Sequence, residues 1–149
     1  IVHRLRKTYP DVNLTTDIIV GFPGETQEEF NKTYKFLEQI KFYKMHIFKY
    51  SQRKGTKAAQ MPDQISPEVK EERSKKLINL SDKNECEYNK KYIGKQVEVL
   101  WEEEKNGVYK GHTKNYVLVE KHMDLDKNIE NTIEKVKIVD AKEHYIIAE

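Results

Sequence analysis

The sequence has very little cysteine. Cys86 is its one cysteine, so the chain cannot form an internal disulfide or supply the several thiolates of a cysteine metal cluster. This cysteine usage fits a reducing compartment and predicts a cytoplasmic location. Cys86 falls in a predicted helix without a nearby histidine or second cysteine, which favours a structural or exposed thiol over a metal ligand or nucleophile.

Long apolar runs and processing signals are missing as well. No apolar run approaches the roughly 20 residues needed to span a membrane, so we expect no membrane partner. Residues 1–4 are not followed by the apolar region of a signal peptide. The first methionine is Met45, and we therefore expect the sequence to begin inside a longer polypeptide. Its 149 residues suffice for one domain or two small ones.

A large excess of either charge is also missing, but the charges are distributed unevenly. The net charge is +2, yet residues 1–94 carry 18 Lys and Arg against 13 Asp and Glu, whereas residues 95–149 carry 9 against 12. Residues 41–62 hold six basic residues and no acidic one. Such a stretch suits phosphate or carboxylate partners, and a solvated loop is the alternative interpretation.

Residues 15–26, TTDIIVGFPGET, contain the main structural signal of the first half. The β-branched run at 18–20 predicts a strand buried on both faces, and the glycines and proline at 21–24 end it. Thr26 and Glu29 form a capping-box pattern that opens a helix. Ligands bind beyond the carboxyl ends of such strands, although a plain connection without a ligand fits the same pattern.

A complete strand–helix–strand unit follows from the next segments. Residues 26–40 predict a helix with one apolar face, made by Phe30, Thr33, Tyr34, Leu37 and Ile40. Residues 42–50 predict a second strand, which implies a right-handed parallel crossover. Residues 51–64 predict an irregular loop that leaves this strand on the same side as the glycine turn.

The second half begins with a long helix. Ser66 and Pro67 are a strong helix start, and we expect the helix to reach about residue 92. It is dense in charge, which is typical of a helix that packs along a surface or bridges two domains. Its thin apolar stripe consists of Val69, Leu77, Leu80 and Tyr88.

From Gly94 onwards the pattern predicts a small β-barrel. Apolar residues alternate from 97 to 101, and Asn106-Gly107 is a strong hairpin signal. Further strands are predicted over 108–112, 116–120, 132–139 and 145–148, which indicates a five-stranded barrel of OB-like type. Such barrels bind RNA through aromatic and basic side chains, here Lys110, His112, Lys114 and Tyr116. A barrel without a binding role fits the composition equally well.

Three separated motifs carry a family resemblance. Residues 17–26, DIIVGFPGET, resemble the late-strand motif of radical SAM enzymes of the methylthiotransferase family. Residues 46–59, HIFKYSQRKGTKAA, are similar to the following strand and loop, and residues 111–116, GHTKNY, to the centre of a TRAM domain. The version YSQRKGT most resembles the branch that methylthiolates threonylcarbamoyladenosine beside the tRNA anticodon. Sister branches act on isopentenyladenosine in tRNA or on a ribosomal-protein aspartate.

The resemblance implies a fold of α/β plus all-β class with three segments. Residues 1–65 would be the carboxyl-terminal part of a radical SAM domain, which ends in the last βαβ portion of a partial (β/α) barrel. Residues 66–93 would be a linking helix, and residues 94–149 a TRAM RNA-binding barrel.

The resemblance also implies a chemistry. A [4Fe–4S] cluster reduces S-adenosylmethionine to a 5′-deoxyadenosyl radical, which abstracts hydrogen from the adenine ring before sulfur and a methyl group are added. The implied partners are tRNA, upstream domains of the same polypeptide that carry the cluster cysteines, and a reductant protein. With one cysteine this chain supplies no cluster ligand, so we expect it to hold no catalytic or metal residue and to be inactive alone.

Site residues follow from the same resemblance. Ile19, Gly21 and Glu25 fall where the family pattern places residues beside the cofactor adenine, with Glu25 expected to fix the turn. The other implied cofactor contacts are Asp17, Phe22, Phe48 and Tyr50. Substrate anions would meet Arg53, Lys54 and Lys57, and RNA would meet Lys110, His112, Lys114 and Tyr116. His112 stands where TRAM sequences usually carry arginine, which weakens phosphate attraction there. A non-catalytic RNA-binding module is the alternative function.

Overall fold

The computed structural model describes residues 1–122 and 128–149, which form two compact units. One unit comprises residues 14–84, and the other comprises residues 1–13 with 85–149. No helix in the described ranges is long and apolar enough to cross a membrane. In chain order the elements are α1 Val2–Thr8, β1 Thr15–Val20, α2 Gln27–Ile40, β2 Lys44–Lys49, α3 Lys57–Gln60, α4 Pro67–Asn89, the 3₁₀ helix Lys90–Tyr92, β3 Gln96–Lys105, β4 Val108–Thr113, β5 Leu118–His122, β6 Ile133–Ala141 and β7 Ile146–Ala148.

The unit of residues 14–84 is built on a parallel strand pair. β1 pairs with β2 in register from Thr15 opposite Lys44, and α2 is the crossover between them. The helix starts as its sequence predicts: Glu29 N donates to Thr26 Oγ1 over 3.1 Å, and Thr26 N donates to Glu29 Oε2 over 2.8 Å. The strand–helix–strand prediction is therefore confirmed.

The core of this unit lies on one side of the strand pair. Its buried residues come from β1, α2, β2 and α4, and they are Val20, Phe30, Leu37, Met45, Leu77 and Leu80. The prediction that residues 18–20 are buried on both faces is wrong, because α2 and α4 pack into this one core and Ile19 is 58% exposed. Thr33, placed on the apolar face of α2 by its spacing, is also exposed.

The loop after β2 is more regular than its composition predicts. Residues 57–60 form the short helix α3, whose first turn is capped by Thr56: Ala59 N donates to Thr56 Oγ1 over 3.3 Å. The sequence around this turn is polar and contains glycine, which predicts a loop. A threonine cap and two alanines are nevertheless enough to form one helical turn.

α4 begins at Pro67, where Val69 N donates to Ser66 Oγ over 3.4 Å. It ends at Asn89 and is followed by a 3₁₀ turn to Tyr92. Its stripe is only partly apolar: Leu77 and Leu80 are buried as predicted, but polar side chains are buried as well. These are Arg73, Ser74, Ser81, Asn84, Glu85 and Asn89.

The described residues from 96 to 148 form a closed five-stranded barrel, as predicted. Its strand order is β3-β4-β5-β7-β6, and β6 pairs back to β3. The β3–β4 turn is the predicted one, since Asn106 and Gly107 have φ of 56° and 78°. Trp101 is fully buried inside the barrel. One strand start differs: β5 begins at Leu118 because Tyr116, with φ of 63°, belongs to the preceding turn.

Within their unit, residues 1–13 contact the barrel part through Asn115. Its side-chain Nδ2 donates to Asp11 O and to Tyr92 Oη, both over 2.7 Å. Asn13 Nδ2 donates back to the Asn115 carbonyl. The predicted segment boundaries near residues 65 and 93 stay predictions.

Candidate cofactor and RNA sites

The turn that follows β1 is held by its own backbone and by one carboxylate. Gly21 has φ of 71°, and its N–H donates to Glu25 Oε2. Glu25 N donates to Phe22 O over 2.9 Å, and Gly24 N donates to Asp63 O over 3.0 Å. Glu25 thus fixes the turn, as its position in the sequence indicates.

Arg73 of α4 completes this arrangement. Its Nη1 donates to Glu25 Oε2 over 2.9 Å and to the Glu25 carbonyl over 3.0 Å. The arginine side chain is only 6% exposed, and its guanidinium lies over the Phe30 ring at 5.3 Å from the centroid. Sequence reasoning missed Arg73 as part of a charged run, although its spacing of four residues from Val69 and Leu77 places it on the buried stripe.

The end of β2 lies beside the end of β1. Tyr50 N donates to Val20 O over 2.9 Å, and the Tyr50 and Phe22 rings meet edge to face with centroids 5.3 Å apart. Lys70 Nζ of α4 donates to Tyr50 O over 3.1 Å. The structure therefore brings Phe22 and Tyr50 together with the turn at Gly21.

An open apolar face adjoins these strand ends. Ile19 and Phe48 are partners in the β1–β2 register and are 58% and 53% exposed, and Phe22 is 43% exposed. Asp17 is exposed two residues before Ile19 on the same strand face. Exposed apolar side chains clustered at one place commonly mark a binding surface. This face offers an exposed apolar surface beside the turn that follows β1.

An iron–sulfur cluster does not fit this chain. Such a cluster needs several thiolates, and Cys86 is the one cysteine of the sequence. Ile19, Phe22, Phe48 and Tyr50, at the two strand ends, carry aliphatic or aromatic side chains rather than thiols. Any cluster chemistry would therefore need ligands from outside these 149 residues.

The three basic residues predicted for substrate anions lie around α3. Arg53, Lys54 and Lys57 are all exposed, and within the described ranges none of them forms an ion pair. The loop backbone is nevertheless ordered by local bonds, since Thr56 Oγ1 donates to Arg53 O over 2.9 Å. These cations are free to meet an anion.

The basic residues predicted on the barrel are paired with acids instead. Lys110 Nζ lies 3.2 Å from Glu120 Oε1, and His112 Nδ1 lies 2.5 Å from Glu102 Oε2. Lys114 pairs with Glu98, and this contact holds the pKa of the Glu98 carboxyl below its ordinary value. Sequence reasoning missed these partners because they lie across the strand ladder rather than along the chain.

Most of the predicted RNA residues nevertheless share one groove. The groove encloses about 510 Å³ between β3, β4 and the turn at Tyr116, which is 80% exposed. Leu100 and Ile133 add exposed apolar surface that the sequence did not single out. The groove residues are Glu98, Leu100, Glu102, His112, Thr113, Lys114, Tyr116 and Ile133, so Lys110 lies outside it.

Comparison with known proteins gives a consistent set of relatives. The chain is 44% identical over 79% of its length to the threonylcarbamoyladenosine tRNA methylthiotransferase MtaB of Bacillus subtilis. It is 37% identical over its whole length to a tRNA-2-methylthio-N(6)-dimethylallyladenosine synthase of Caldicellulosiruptor saccharolyticus. A synthase of the same name from Bacillus cytotoxicus is 43% identical over 95% of the chain. No protein-family model matches the chain.

The chain spans only part of these relatives, namely 27%, 32% and 28% of their respective lengths. Their names share methylthiolation of a tRNA adenosine and differ in the group that this adenosine already carries. The expected family is confirmed at this level. Over the segment that it spans, the chain is homologous to the tRNA methylthiotransferases of the radical SAM family.

Proposed function

We propose that this chain is the part of a radical SAM tRNA methylthiotransferase that supplies one wall of the S-adenosylmethionine site and a tRNA-binding barrel of the TRAM type. The observation that carries the proposal is 37% identity to a curated relative over the whole chain. When bound, the cofactor would supply the radical that activates the adenine of the substrate. The cluster ligands and the contact with a reductant protein would come from outside these residues, in the cytoplasm where tRNA is modified.

The cofactor wall is formed by the ends of β1 and β2. Ile19 and Phe48 offer neighbouring exposed apolar surfaces to the adenine ring. Gly21 shapes the turn at the edge of this wall through its positive φ, and Lys70 fills the space that a side chain there would occupy. Asp17, exposed on the same face, can accept a hydrogen bond from an amine or hydroxyl group of the cofactor or substrate.

Threonylcarbamoyladenosine is the substrate that the basic loop favours. This nucleoside carries a carboxylate, whereas a dimethylallyl group is apolar and uncharged. Arg53, Lys54 and Lys57 are exposed and free of ion pairs in the described part of the chain. A guanidinium binds a carboxylate with two parallel hydrogen bonds, so Arg53 is the residue best suited to the threonyl group.

The barrel groove would hold an unstacked stretch of tRNA. Tyr116 offers a ring for base stacking, and Leu100 and Ile133 extend the apolar surface beside it. Since His112 and Lys114 are paired with Glu102 and Glu98, phosphate attraction in the groove is weak unless those pairs open. The barrel would therefore contribute contact with bases more than affinity for phosphates.

The test is to express the complete coding frame that contains this chain in a Bacillus subtilis strain lacking MtaB. Nucleosides from its tRNA are then measured by mass spectrometry. We expect methylthiolated threonylcarbamoyladenosine to return. Methylthiolation of dimethylallyladenosine instead would overturn the substrate assignment. A folded, iron-loaded protein that methylthiolates no tRNA nucleoside, yet binds tRNA, would favour the RNA-binding module.

Arg53→Ala tests the loop in the same protein. We expect kcat/KM for tRNA to fall about tenfold, because about 1.4 kcal/mol of a charge-assisted contact is a tenfold change. Iron content should stay unchanged. Lys32→Ala is the matched control, since Lys32 is an exposed cation of α2 that pairs with Glu28. Equal turnover of Arg53→Ala and wild type would remove Arg53 from the substrate site.

A further inference from the structure

The first turns of α4 contact both strand ends of the candidate cofactor wall. Lys70 Nζ donates to Tyr50 O over 3.1 Å, which holds the residue that follows β2. Arg73 Nη1 donates to the carbonyl and the carboxylate of Glu25, which holds the turn after β1. Two side chains on one helix turn therefore determine where the ends of two neighbouring strands lie.

Arg73 acts on the turn through Glu25. The Glu25 carboxylate accepts the Gly21 N–H and the Arg73 Nη1–H at the same oxygen, Oε2. Both side chains are largely buried, with 6% of Arg73 and 16% of Glu25 exposed. Hydrogen bonds of charged groups are stronger away from water, so Arg73 is a strong determinant of where the Glu25 carboxylate lies. Without Arg73 the carboxylate loses its cation, and its hydrogen bond to Gly21 N is held in place less firmly.

Lys70 acts on the same turn by close packing. A Cβ placed on Gly21 would lie 2.1 Å from Lys70 Cγ and 2.7 Å from Lys70 Cδ. The aliphatic stem of Lys70 therefore occupies the space where a side chain of residue 21 would be. Its ammonium group lies 5.9 Å from the centroid of the Tyr50 ring, so this one side chain lies against Gly21 after β1 and Tyr50 after β2.

We propose that Lys70 and Arg73 are positioning residues for the adenosyl cofactor: without touching it, they set the places of the Gly21 turn and of Tyr50. The proposal rests on the proposed function, since S-adenosylmethionine is the ligand. It assigns a role in the cofactor site to a helix that the sequence marks only as a charged connection. The contacts that support it all lie within residues 14–84.

The test uses the full-length enzyme with its cluster and three variants. Lys70→Met keeps the aliphatic stem and loses the hydrogen bond to Tyr50. Arg73→Met loses both hydrogen bonds to Glu25. Arg73→Lys restores a cationic donor, and because Nη1 donates both of the original bonds, a single ammonium group can replace part of them. Lys76→Met is the control, because Lys76 pairs with Glu72 on the exposed side of the same helix.

Four quantities are measured: the Kd of S-adenosylmethionine by equilibrium dialysis, the tRNA Kd, the iron content, and amide hydrogen exchange of a peptide covering residues 21–25. We expect the cofactor Kd to rise about tenfold in Lys70→Met and Arg73→Met and to recover most of this loss in Arg73→Lys. Exchange at Gly21 should accelerate in Arg73→Met. The tRNA Kd and iron content should not change, and the control should match wild type.

The outcomes separate the two proposals. A wild-type protein that does not bind S-adenosylmethionine defeats the proposed function itself. A wild type that binds it, with both methionine variants within twofold of its Kd, defeats the positioning role even if Gly21 exchanges faster. Equal loss of iron, tRNA binding and cofactor binding would show a general structural role and also overturn it. If Arg73→Met does not fold, Lys70→Met decides, since it removes one hydrogen bond and keeps the packing.

Discussion

Replacing Gly21 by alanine should destabilise the unit of residues 14–84 for two separate reasons. The first is backbone conformation: Gly21 has φ of 71°, and a left-handed conformation costs a residue with a side chain about 1–2 kcal/mol. The second is space, because the new Cβ would lie 2.1 Å from Lys70 Cγ. Lys70 must then withdraw and give up its hydrogen bond to Tyr50 O, which costs about 1.5 kcal/mol. The expected total is about 3 kcal/mol.

Gly24 offers a matched control for the conformational part. It also has a positive φ, 84°, but a Cβ built on it meets nothing within 4 Å. Gly24→Ala should therefore lose only the backbone contribution of about 1–2 kcal/mol. The difference between the two alanine variants, about 1.5 kcal/mol, measures the contact with Lys70.

A double variant isolates the contact between residue 21 and Lys70. Lys70→Ala removes both the stem that meets the new Cβ and the ammonium that binds Tyr50 O. The loss in Gly21→Ala/Lys70→Ala should be smaller than the sum of the two single losses by about 1–2 kcal/mol, because that hydrogen bond can be lost only once.

The assay is urea unfolding of the chain, followed by far-ultraviolet circular dichroism for the helices and by tryptophan fluorescence for the barrel. Trp101 is the one tryptophan and is fully buried among the barrel strands, outside the unit that contains Gly21. We expect the helical transition to shift and the fluorescence transition to stay. Equal destabilisation by Gly21→Ala and Gly24→Ala, or additive losses in the double variant, would refute the role given to Lys70.

Three further variants test the barrel unit. Gly111→Ala would bring a Cβ within 2.1 Å of Leu100 O, a backbone atom that cannot withdraw, so tryptophan fluorescence should show a loss of about 2–3 kcal/mol. Asn115→Ala removes the donor to Asp11 O and should make residues 1–13 more susceptible to limited proteolysis; an unchanged cleavage rate would contradict this. Glu98→Gln frees Lys114 and should raise the affinity for single-stranded RNA, with a log–log salt slope steeper by about one. The pKa of the Glu98 carboxyl lies below its ordinary value of 4.5, so this ion pair stabilises the barrel above pH 4.5 and is lost as the pH falls through the lowered value. The free energy of unfolding of wild type should therefore fall more steeply with acidification in that range than that of Glu98→Gln.

Features set by near neighbours in the chain could be predicted from the sequence alone. The capping box at Thr26, the helix start at Pro67 and the hairpin turn at Asn106-Gly107 each depend on residues within about four positions, whose bonding is decided locally. Alternating apolar residues likewise predicted a closed barrel, since period two leaves one face to bury. The family resemblance came from short motifs of the same local kind.

Only the tertiary structure decided which charges are buried, paired or free. Arg73 and the lysines of the same charged run look alike in sequence, yet Arg73 is buried on Glu25, 48 residues earlier in the chain. Lys114 and His112 are paired with glutamates of a neighbouring strand, whereas Arg53 forms no ion pair within the described residues. The physical reason is that the energy of a charge depends on its solvent exposure and on the distance to its partner, and packing determines both. The sequence of residues 15–26 therefore predicts the turn itself, whereas the contacts of α4 determine the position of that turn in the fold.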